Sequence, residues 1–416
     1  MKRWAMLMIL VLSGCAPLVQ THKSSAGWQL LVEGKPFFVK GICYMAAKVG
    51  ESSHDNTLRD WMIVDDDHDG RIDVAYQSWV DKNRNNRRDP DEKEVGDFAL
   101  LKQMGANAVR LYHHASADPE IQKLTSNSLT YSHAPNKELL RTMHRDYGIW
   151  VMMGDLLGAY TVGSAADWVK GTDYSDPVQR ANMMKSVEAM VREFKDEPYI
   201  LIWALGNENN YDELTHTNAG RDPVVYAKFV NDAARRIHEL DPNHPVCLVN
   251  GETINVEVYA KYAPSVDIFG LNSYRGWGFN TMWKEISSRW DRPVMLTEFG
   301  TGSPRVENGE IIEEVQSRIH EEAWLDIERH AADGTLEPHN SIGGFVFVWM
   351  DDWWQNGNPF QHDLGPGDMD WEWHGLFSQG DGKNSPLLRQ PRKVYYMYQL
   401  LWTRKRASSG RYDLSK

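Results

Sequence analysis

Eight short apolar runs, separated by longer amphipathic stretches, restrict the fold of this chain more than any other feature. They cover residues 37–44, 106–112, 149–153, 200–205, 246–250, 268–272, 294–298 and 344–349. Their almost uninterrupted apolar character is typical of parallel strands buried on both faces. Stretches such as 187–196 and 224–240 have apolar residues three and four positions apart, which predicts helices between the strands. This alternation predicts an α/β protein, a single (β/α)8 barrel.

The remaining segments fit a one-domain organisation. A short hairpin is predicted at residues 28–36, before the first barrel strand, and the barrel domain is predicted to cover residues 28–405, with 406–416 as a tail. No repeat of 20–50 residues is visible, which argues against a solenoid. Cys43 and Cys247 each fall in an apolar run, so we expect buried free thiols rather than a disulfide.

The first residues have the pattern of an exported bacterial lipoprotein. Lys2 and Arg3 precede an apolar run that is too short to span a bilayer. Residues 12–15, Leu-Ser-Gly-Cys, resemble a lipobox, which would make Cys15 the lipidated first residue of the mature protein. Residues 1–15 are thus predicted to be a signal peptide and 16–27 a tether. Because Ala16 is not acidic, we expect a lipid-anchored protein of the outer membrane; an ordinary signal with an incidental cysteine is the alternative.

An acidic insertion at residues 65–92, between the first and second strands, has the spacing of two calcium-binding loops. Oxygen-bearing side chains recur at loop positions 1, 3, 5 and 9 with a glycine at position 6 in the first loop, and at positions 1, 3, 5, 9 and 12 in the second. The predicted ligands are Asp65, Asp67, Asp69 and Asp73, then Asp81, Asn83, Asn85, Asp89 and Glu92. Tyr76 replaces the acid at position 12 of the first loop. We expect structural Ca²⁺; a solvated acidic loop is the alternative.

The charge balance limits the partners. The chain has 58 acidic and 45 basic residues, a net charge of −13, which disfavours a polyanion such as nucleic acid. It also contains 17 Trp, whose faces can stack on sugar rings but also fill cores. A neutral partner such as a carbohydrate fits this composition.

Two glutamates directly end strongly apolar runs. Glu208 follows the fourth predicted strand, and Glu298 ends the seventh. Burying a carboxylate at the end of a strand costs free energy unless the group is paired or protonated. An unpaired carboxylate at such a position therefore indicates a functional role. A pair about 5–5.5 Å apart can hydrolyse a glycosidic bond with retention, one protonating the leaving oxygen and the other attacking the anomeric carbon. A salt-bridged strand end is the alternative for each glutamate alone.

The residues around these glutamates resemble those of glycoside hydrolase clan A. The segment Trp-Ala-Leu-Gly-Asn-Glu at 203–208 is similar to the acid/base motif of that clan, and Leu-Thr-Glu-Phe-Gly at 296–300 is similar to its nucleophile strand. Segments 34–41, 107–110, 373–377 and 389–396 resemble the barrel domain of glycoside hydrolase family 2. Family 2 enzymes have β-sandwich domains before the barrel, for which this chain has no room. Stand-alone barrels of family 5 and fungal-type β-1,3-glucanosyltransferases are similar as well.

The resemblance implies roles for further residues. Asn207 would bind the sugar 2-hydroxyl, Arg110 would keep Glu298 ionised, and the hydroxyl of Tyr274 would contact Glu298. His113 and Trp349 would line the sugar site, although each of these side chains could instead pack in the barrel. Trp277, Phe279 and the aromatic residues at 351–357 and 371–374 are candidate platforms for further sugar units.

The sequence therefore predicts a retaining β-glycoside hydrolase that acts on a β-linked oligo- or polysaccharide and needs no cofactor for its chemistry. A transglycosylase of the same mechanism and a non-catalytic carbohydrate-binding lipoprotein are the alternatives. A metal-dependent hydrolase is disfavoured, because no His-x-His or clustered ligand set ends the predicted strands.

Overall fold

Eight parallel strands close into a barrel in the computed structural model, which describes residues 18–404 except 115, 117, 126–135, 304–305, 308–309 and 366–368. The strands are β1 (Val19–Ser24), β2 (Gly27–Val32), β3 (Lys35–Pro36), β4 (Val39–Cys43), β5 (Trp79–Val80), β6 (Ala108–Leu111), β7 (Trp150–Asp155), β8 (Ile200–Leu205), β9 (Val246–Gly251), β10 (Ile268–Asn272), β11 (Val294–Phe299), β12 (Val306–Glu307), β13 (Glu310–Ile311), β14 (Ser341–Val346), β15 (Phe377–Ser378) and β16 (Leu388–Pro391). The barrel order is β4, β6, β7, β8, β9, β10, β11 and β14, which returns to β4. The predicted (β/α)8 barrel is confirmed.

Helices cover the outside of the barrel. They are α1 (Asp73–Gln77), α2 (Asp97–Met104), α3 (Pro119–Thr125), α4 (Lys137–Tyr147), α5 (Pro177–Phe194), α6 (Asp212–Thr215), α7 (Pro223–Leu240), α8 (Val256–Tyr262), α9 (Met282–Ser287), α10 (Glu313–Arg329) and α11 (Lys393–Thr403). The helix predicted from residue 187 begins ten residues earlier, because Asp176 caps it by accepting from the N–H groups of Val178 and Gln179 and Pro177 occupies its first turn.

Alternation along the strands divides the core into two layers. In β8, Ile202 and Ala204 pack inside the barrel, whereas Trp203 and Leu205 pack outward against the helices. The last barrel strand lies at Ser341–Val346 rather than at the predicted 344–349. Gly343 and Gly344 weaken the apolar pattern of this strand in the sequence. A side chain at Gly344 would collide with Leu296 of β11, so a small residue is needed where these two strands meet.

The N-terminal segment differs from the predicted tether. Residues 19–24 form β1, which pairs in antiparallel register with β2, and β2 pairs with β3. Val19 and Leu30 are buried beneath the barrel strands, so the folded domain includes residues assigned to the tether at 16–27. The hairpin predicted at 28–36 corresponds to β2 and β3. Cys15 and the tail at 406–416 lie outside the described residues. Among the described residues, no helix is long and apolar enough to cross a membrane.

The insertion at residues 65–92 lies between β4 and β6 and is attached to the end of the chain. Strand β5, between its two acidic loops, pairs in parallel with β16 through Trp79 and Val80. A buried ion pair beside it joins Arg389 to Asp97, with 2.7 Å between Nη2 and Oδ2. This attachment holds the insertion on the barrel. Cys43 and Cys247 are buried free thiols, as predicted.

Candidate active site

Glu298 is the penultimate residue of β11 and is held by three donors at the carboxyl end of the barrel. Its side chain is buried, and Nη1 of Arg110 donates to its Oε1 over 2.9 Å. The hydroxyl of Tyr112 donates to the same oxygen over 2.6 Å, and the hydroxyl of Tyr274 donates to Oε2 over 2.7 Å. A buried carboxylate that accepts from a guanidinium and two hydroxyls is stabilised in its charged form. Glu298 is therefore arranged as an anion.

Arg110 connects Glu298 to the rest of the site. Its buried guanidinium lies over the ring of Tyr112, with its Cζ 4.1 Å from the ring centre. Its Nη1 also donates to the carbonyl oxygen of Thr297 over 3.0 Å, and its Nη2 donates to Oδ1 of Asn207 over 2.8 Å. One rigid cation thus fixes the position of the residue next to Glu208 as well as that of Glu298.

Glu208 lies three residues beyond the end of β8 in an unusual backbone conformation. Its φ is 57°, in the left-handed region, and Gly206 before it has a φ of 78°. The N–H of Glu208 donates to the carbonyl of Val249 over 3.2 Å, which fixes the turn against β9. Strained backbone of this kind is often stored at functional sites, because surrounding contacts must hold it in place.

The surroundings of Glu208 favour its neutral form. Burial, followed by the negative charge of Glu298, raises the pKa of Glu208 to about 8. Arg110 and a hydrogen bond with Asn272 act in the opposite direction, and Glu252 raises the pKa further. Glu208 is therefore held in its protonated form, whereas Glu298 accepts three hydrogen bonds. Such a difference assigns the roles of acid and base to a carboxyl pair.

Asn207 belongs to a buried amide network. Its Oδ1 accepts from Nδ2 of Asn272 over 3.1 Å in addition to Arg110, and Oδ1 of Asn272 accepts from the hydroxyl of Thr297 over 2.8 Å. Asn209 holds the turn from below, since its Oδ1 accepts from the N–H of Asn207 over 2.8 Å. The predicted group of Arg110, Asn207, Tyr274, Glu208 and Glu298 is thus brought together at one end of the barrel.

Two further residues of this group were missed in the sequence. Tyr112 lies two positions after Arg110, so strand alternation places both side chains on the same face. Asn272 is the polar last residue of β10 and occupies the same edge as the two glutamates. Both residues are polar and lie at or directly after the end of a barrel strand, so the pattern that pointed to the two glutamates also includes them.

His113 and Trp349 lie deeper than the sequence suggested. His113 is buried, its ring centre 4.6 Å from that of His114, and its Nδ1 accepts from the N–H of Leu156 over 3.3 Å. Trp349 has no exposed surface and packs on Phe377 and Tyr44, with ring centres 4.7 and 6.2 Å away. Both side chains therefore pack inside the protein, which is the alternative that the sequence left open for them.

The two aromatic residues after β10 differ from each other. Trp277 is 56% exposed and Arg318 lies over its ring, so it can serve as a platform. Phe279 is 2% exposed and packs edge-on against Trp283 and Phe299, which contradicts its predicted role as a platform. Its apolar side chain covers α9 instead of facing solvent.

In both acidic loops the first aspartate accepts hydrogen bonds from backbone N–H groups later in the loop. In the first, carboxylate oxygens of Asp65, Asp67 and Asp73 lie within 4.8 Å of one another, and Asp65 accepts from the N–H groups of Asp69 and Gly70. Burial and the neighbouring aspartates raise the pKa of Asp73.

In the second acidic loop, Asp81 accepts from the N–H groups of Asn85 and Asn86. Glu92 closes that loop by accepting from the N–H groups of Lys82 and Asp89. Crowded hard oxygen donors suit Ca²⁺.

The fold and the carboxyl pair define a class: (β/α)8 barrels with one glutamate after the fourth barrel strand and a second in the seventh. In this class the strand ends carry the chemistry. Residues 117–309 match the family model described as glycosyl hydrolases family 2, TIM barrel domain. This match confirms the resemblance to that barrel domain that the motifs around Glu208 and Glu298 predicted.

Individual relatives agree with the family model. The β-glucuronidase of Chlorocebus aethiops is 27% identical over 218 residues, which cover 50% of this chain and 27% of that protein. The β-glucuronidase 2 of Bacteroides uniformis, solved covalently bound to cyclophellitol-6-carboxylate aziridine, is similar in structure with a TM-score of 0.56 and 18% identity, over 93% of this chain and 37% of that one. A calcium-binding mutant of that enzyme aligns with a TM-score of 0.51, 17% identity, and 94% and 37% coverage. The chain spans about a quarter of the length of the curated relatives it matches.

Proposed function

We propose that this protein is a retaining β-glycoside hydrolase in which Glu298 is the nucleophile and Glu208 is the general acid/base. The observation that carries the proposal is the opposite electrostatic environment of the two glutamates. Glu298 accepts from Arg110, Tyr112 and Tyr274, whereas burial and the charge of Glu298 raise the pKa of Glu208 to about 8. An anion and a neutral acid at one barrel mouth are what double displacement requires.

The reaction proceeds in two balanced steps. In the first, a carboxylate oxygen of Glu298 forms a bond to the anomeric carbon while the bond to the leaving oxygen breaks and Glu208 gives its proton to that oxygen. In the second, Glu208, now ionised, takes a proton from water as the water oxygen attacks the anomeric carbon and releases Glu298. The sugar leaves with its original β configuration. Attack by a sugar hydroxyl instead of water would make the same site a transglycosylase.

The substrate that we propose is a β-linked oligo- or polysaccharide, as the motifs and the exposed Trp277 suggest. The relatives named β-glucuronidase support β-linked cleavage as the reaction class. A panel of 4-nitrophenyl β-glycosides, followed by β-linked glucan, mannan and galactan oligosaccharides, tests the proposal. NMR of the first product formed should show the β anomer. An α product, or no turnover of any substrate above a Glu208→Gln, Glu298→Gln double variant, would reject it.

We also propose that the insertion binds structural Ca²⁺ through the side chains of Asp65, Asp67, Asp69 and Asp73 and of Asp81, Asn83, Asn85, Asp89 and Glu92. Like charges this close repel one another, and a divalent cation removes that repulsion. The ion would order the insertion and take no part in the reaction.

The proposed location is the bacterial outer membrane, with the chain attached through lipid on Cys15. Several acyl chains on one residue anchor a protein firmly, whereas a single chain does so only marginally. The wild-type protein should fractionate with membranes, and Cys15→Ser should release it or block its processing. A fully processed, unlipidated wild-type protein in the periplasm would reject this location.

A further inference from the structure

Three residues of the loop after β7 have backbone conformations that residues with side chains rarely adopt. Leu157, Tyr160 and Thr161 have φ angles of 48°, 54° and 60°, in the left-handed region. Such angles are uncommon for residues other than glycine, and for β-branched residues such as threonine they are outliers. Strained backbone persists only where surrounding contacts hold it, and it is concentrated at functional sites. The loop at residues 156–162 is therefore a candidate part of the active site.

Asn209 joins this loop to the turn that carries the acid. Its Oδ1 accepts from the N–H of Asn207 over 2.8 Å. Its Nδ2 donates to the carbonyl oxygens of Leu156 and Leu157 over 3.2 and 3.1 Å. The hydroxyl of Tyr174 also donates to the carbonyl oxygen of Leu157, over 2.8 Å. The protein's own hydrogen bonds thus hold the loop after β7 and the turn after β8 in a fixed arrangement.

The strained loop brings the side chain of Tyr160 to the two glutamates. Tyr160 and Tyr112 pack against the same small apolar cluster, and Tyr112 donates to Glu298. Burial, followed by the negative charges of Glu208 and Glu298, raises the pKa of Tyr160. A hydrogen bond with the side chain of Asn207 opposes this rise in pKa. Because a hydrogen bond that favours a phenolate is donated to its oxygen, Asn207 donates and Tyr160 accepts.

The amide of Asn207 is consequently held at both ends. Its Oδ1 accepts from Nη2 of Arg110 over 2.8 Å and from Nδ2 of Asn272 over 3.1 Å, which uses both lone pairs of the oxygen. Its Nδ2 carries two hydrogens, and the hydroxyl of Tyr160 accepts one of them. With the oxygen and one N–H fixed, the direction of the second N–H is fixed as well, and this N–H can be donated to a ligand.

The position of Asn207 determines which sugar group it can contact. The anomeric carbon reacts between Glu208 and Glu298. Asn207 directly precedes Glu208 in the chain, and it shares the guanidinium of Arg110 with Glu298. Of the two ring atoms bonded to the anomeric carbon, one is the ring oxygen and the other carries the 2-hydroxyl. Hydrogen bonds to this hydroxyl strengthen in the transition state of glycoside hydrolysis, so an oriented donor beside it lowers the barrier.

On this basis, and resting on the proposed hydrolase function, we propose that Tyr160 is a specificity-determining residue whose hydroxyl orients the amide of Asn207 toward the 2-hydroxyl of the sugar that is cleaved. Tyr160 acts through Asn207 and is thus a positioning residue. The left-handed backbone at Tyr160 and Thr161 turns the chain so that the tyrosine reaches this amide. The substrate class that follows is a β-glycoside with an unsubstituted 2-hydroxyl, and a 2-acetamido sugar should be a poor substrate.

The test compares two aryl β-glycosides that differ only at carbon 2: the one that the panel selects and its 2-deoxy counterpart, both corrected for spontaneous hydrolysis. Tyr160→Phe keeps the ring and removes the hydroxyl. It should lower kcat/KM for the 2-hydroxy substrate by about five- to tenfold and leave kcat/KM for the 2-deoxy substrate within about twofold. Tyr259→Phe, at a buried tyrosine of α8, should change neither value.

A double variant separates orientation of the amide from a general structural role. Asn207→Ala removes the oriented amide, so Tyr160→Phe added to it should cause no further loss of kcat/KM on the 2-hydroxy substrate. If Tyr160 only supported the fold of the loop, its replacement would lower activity in either background and on both substrates.

The outcomes separate this inference from the proposed function. A Tyr160→Phe variant that slows both substrates equally, or neither, would overturn the inference and leave the hydrolase intact. A preferred glycone that lacks a free 2-hydroxyl would do the same. A wild-type protein that cleaves no β-glycoside would overturn both the inference and the proposed function.

Discussion

Carboxylates are concentrated in two regions of this molecule, the barrel mouth and the insertion at 65–92, and the two regions stabilise them differently. At the mouth the chain supplies its own cation: the guanidinium of Arg110 lies 2.9 Å from Glu298. In the insertion, Asp65 and Asp67 accept from the backbone N–H of Asp69, and Asp67 also accepts from the amide of Gln77. Carboxylate oxygens of Asp65, Asp67 and Asp73 lie within 4.8 Å of one another.

This difference indicates that the barrel mouth and the insertion have different roles. A built-in cation fixes one carboxylate as an anion and leaves the second, Glu208, neutral, which creates the asymmetry that proton transfer needs. Similar carboxylates gathered without such a cation are suited to a cation from solution. Changes at the mouth should therefore affect activity most, and changes in the insertion should affect stability and leave activity almost unchanged.

The largest effect is expected for Glu298→Ala. Without the nucleophile no glycosyl intermediate forms, and kcat should fall by at least about 10³-fold. Azide, which is small enough to use the space left by the side chain, should restore turnover and yield the α-glycosyl azide, detected by NMR. Glu337→Ala, an exposed glutamate on the barrel exterior, is the matched control and should keep wild-type activity. An alanine variant with wild-type activity would remove Glu298 from the mechanism.

Glu208→Gln tests the neutral carboxyl of the pair. Because the pKa of Glu208 is raised to about 8, the acid is protonated at neutral pH and activity should decline as the pH rises through that value. The glutamine variant should lose this decline, along with about 10²–10⁴-fold of kcat/KM on substrates with poor leaving groups. An unchanged alkaline limb in the variant would show that another group is responsible.

The same variant has a stability consequence. A carboxyl whose pKa is raised on folding binds its proton more tightly in the folded state, so it destabilises the protein as the pH rises from its unfolded pKa to its folded one. Across that window, up to about pH 8, the uncharged glutamine should raise Tm. A Glu208→Gln variant that melts earlier than wild type at pH 7 would contradict this electrostatic description of the mouth.

A smaller effect is expected for Tyr274→Phe. The variant removes one of three donors to Glu298 and keeps the ring, and a hydrogen bond to a charged group contributes about 1.5–3 kcal/mol, or roughly ten- to hundredfold in kcat/KM. Tyr396→Phe, on the exposed side of α11, should leave kcat/KM unchanged.

The barrel could be predicted from sequence because its strands are apolar throughout, and Glu208 and Glu298 stood out against that background. The eighth strand was misplaced because Gly343 and Gly344 weaken the apolar signal while the fold needs their small size. Whether the side chains of Phe279 and Trp349 are buried depends on contacts with residues that are distant in the sequence. The local sequence pattern does not contain that information. Strand β1 was missed because its polar residues pair with β2 at the edge, where burial is partial.

Calcium removal should have the smallest effect on activity and a clear effect on stability. An ion that binds only the folded protein stabilises it by about 2.7 kcal/mol at one hundred times its Kd, which corresponds to several degrees in Tm. EDTA should therefore lower Tm, measured by differential scanning calorimetry, and millimolar Ca²⁺ should restore it. The kcat on an aryl glycoside at 25 °C should change little, because the insertion contributes no group to the mouth.

Neighbouring aspartates within the insertion provide the control for this experiment. Asp89 accepts from the amides of Asn83 and Asn85 inside the second loop, whereas Asp91 points outward to Lys82, with 2.9 Å between Oδ2 and Nζ. Asp89→Asn should abolish the calcium-dependent rise in Tm for this loop, and Asp91→Asn, with the same loss of charge, should retain it. Equal behaviour of the two variants would mean that net charge, rather than a ligand set, explains the response. A Tm that ignores both chelator and calcium would show that the insertion stabilises its carboxylates without a metal.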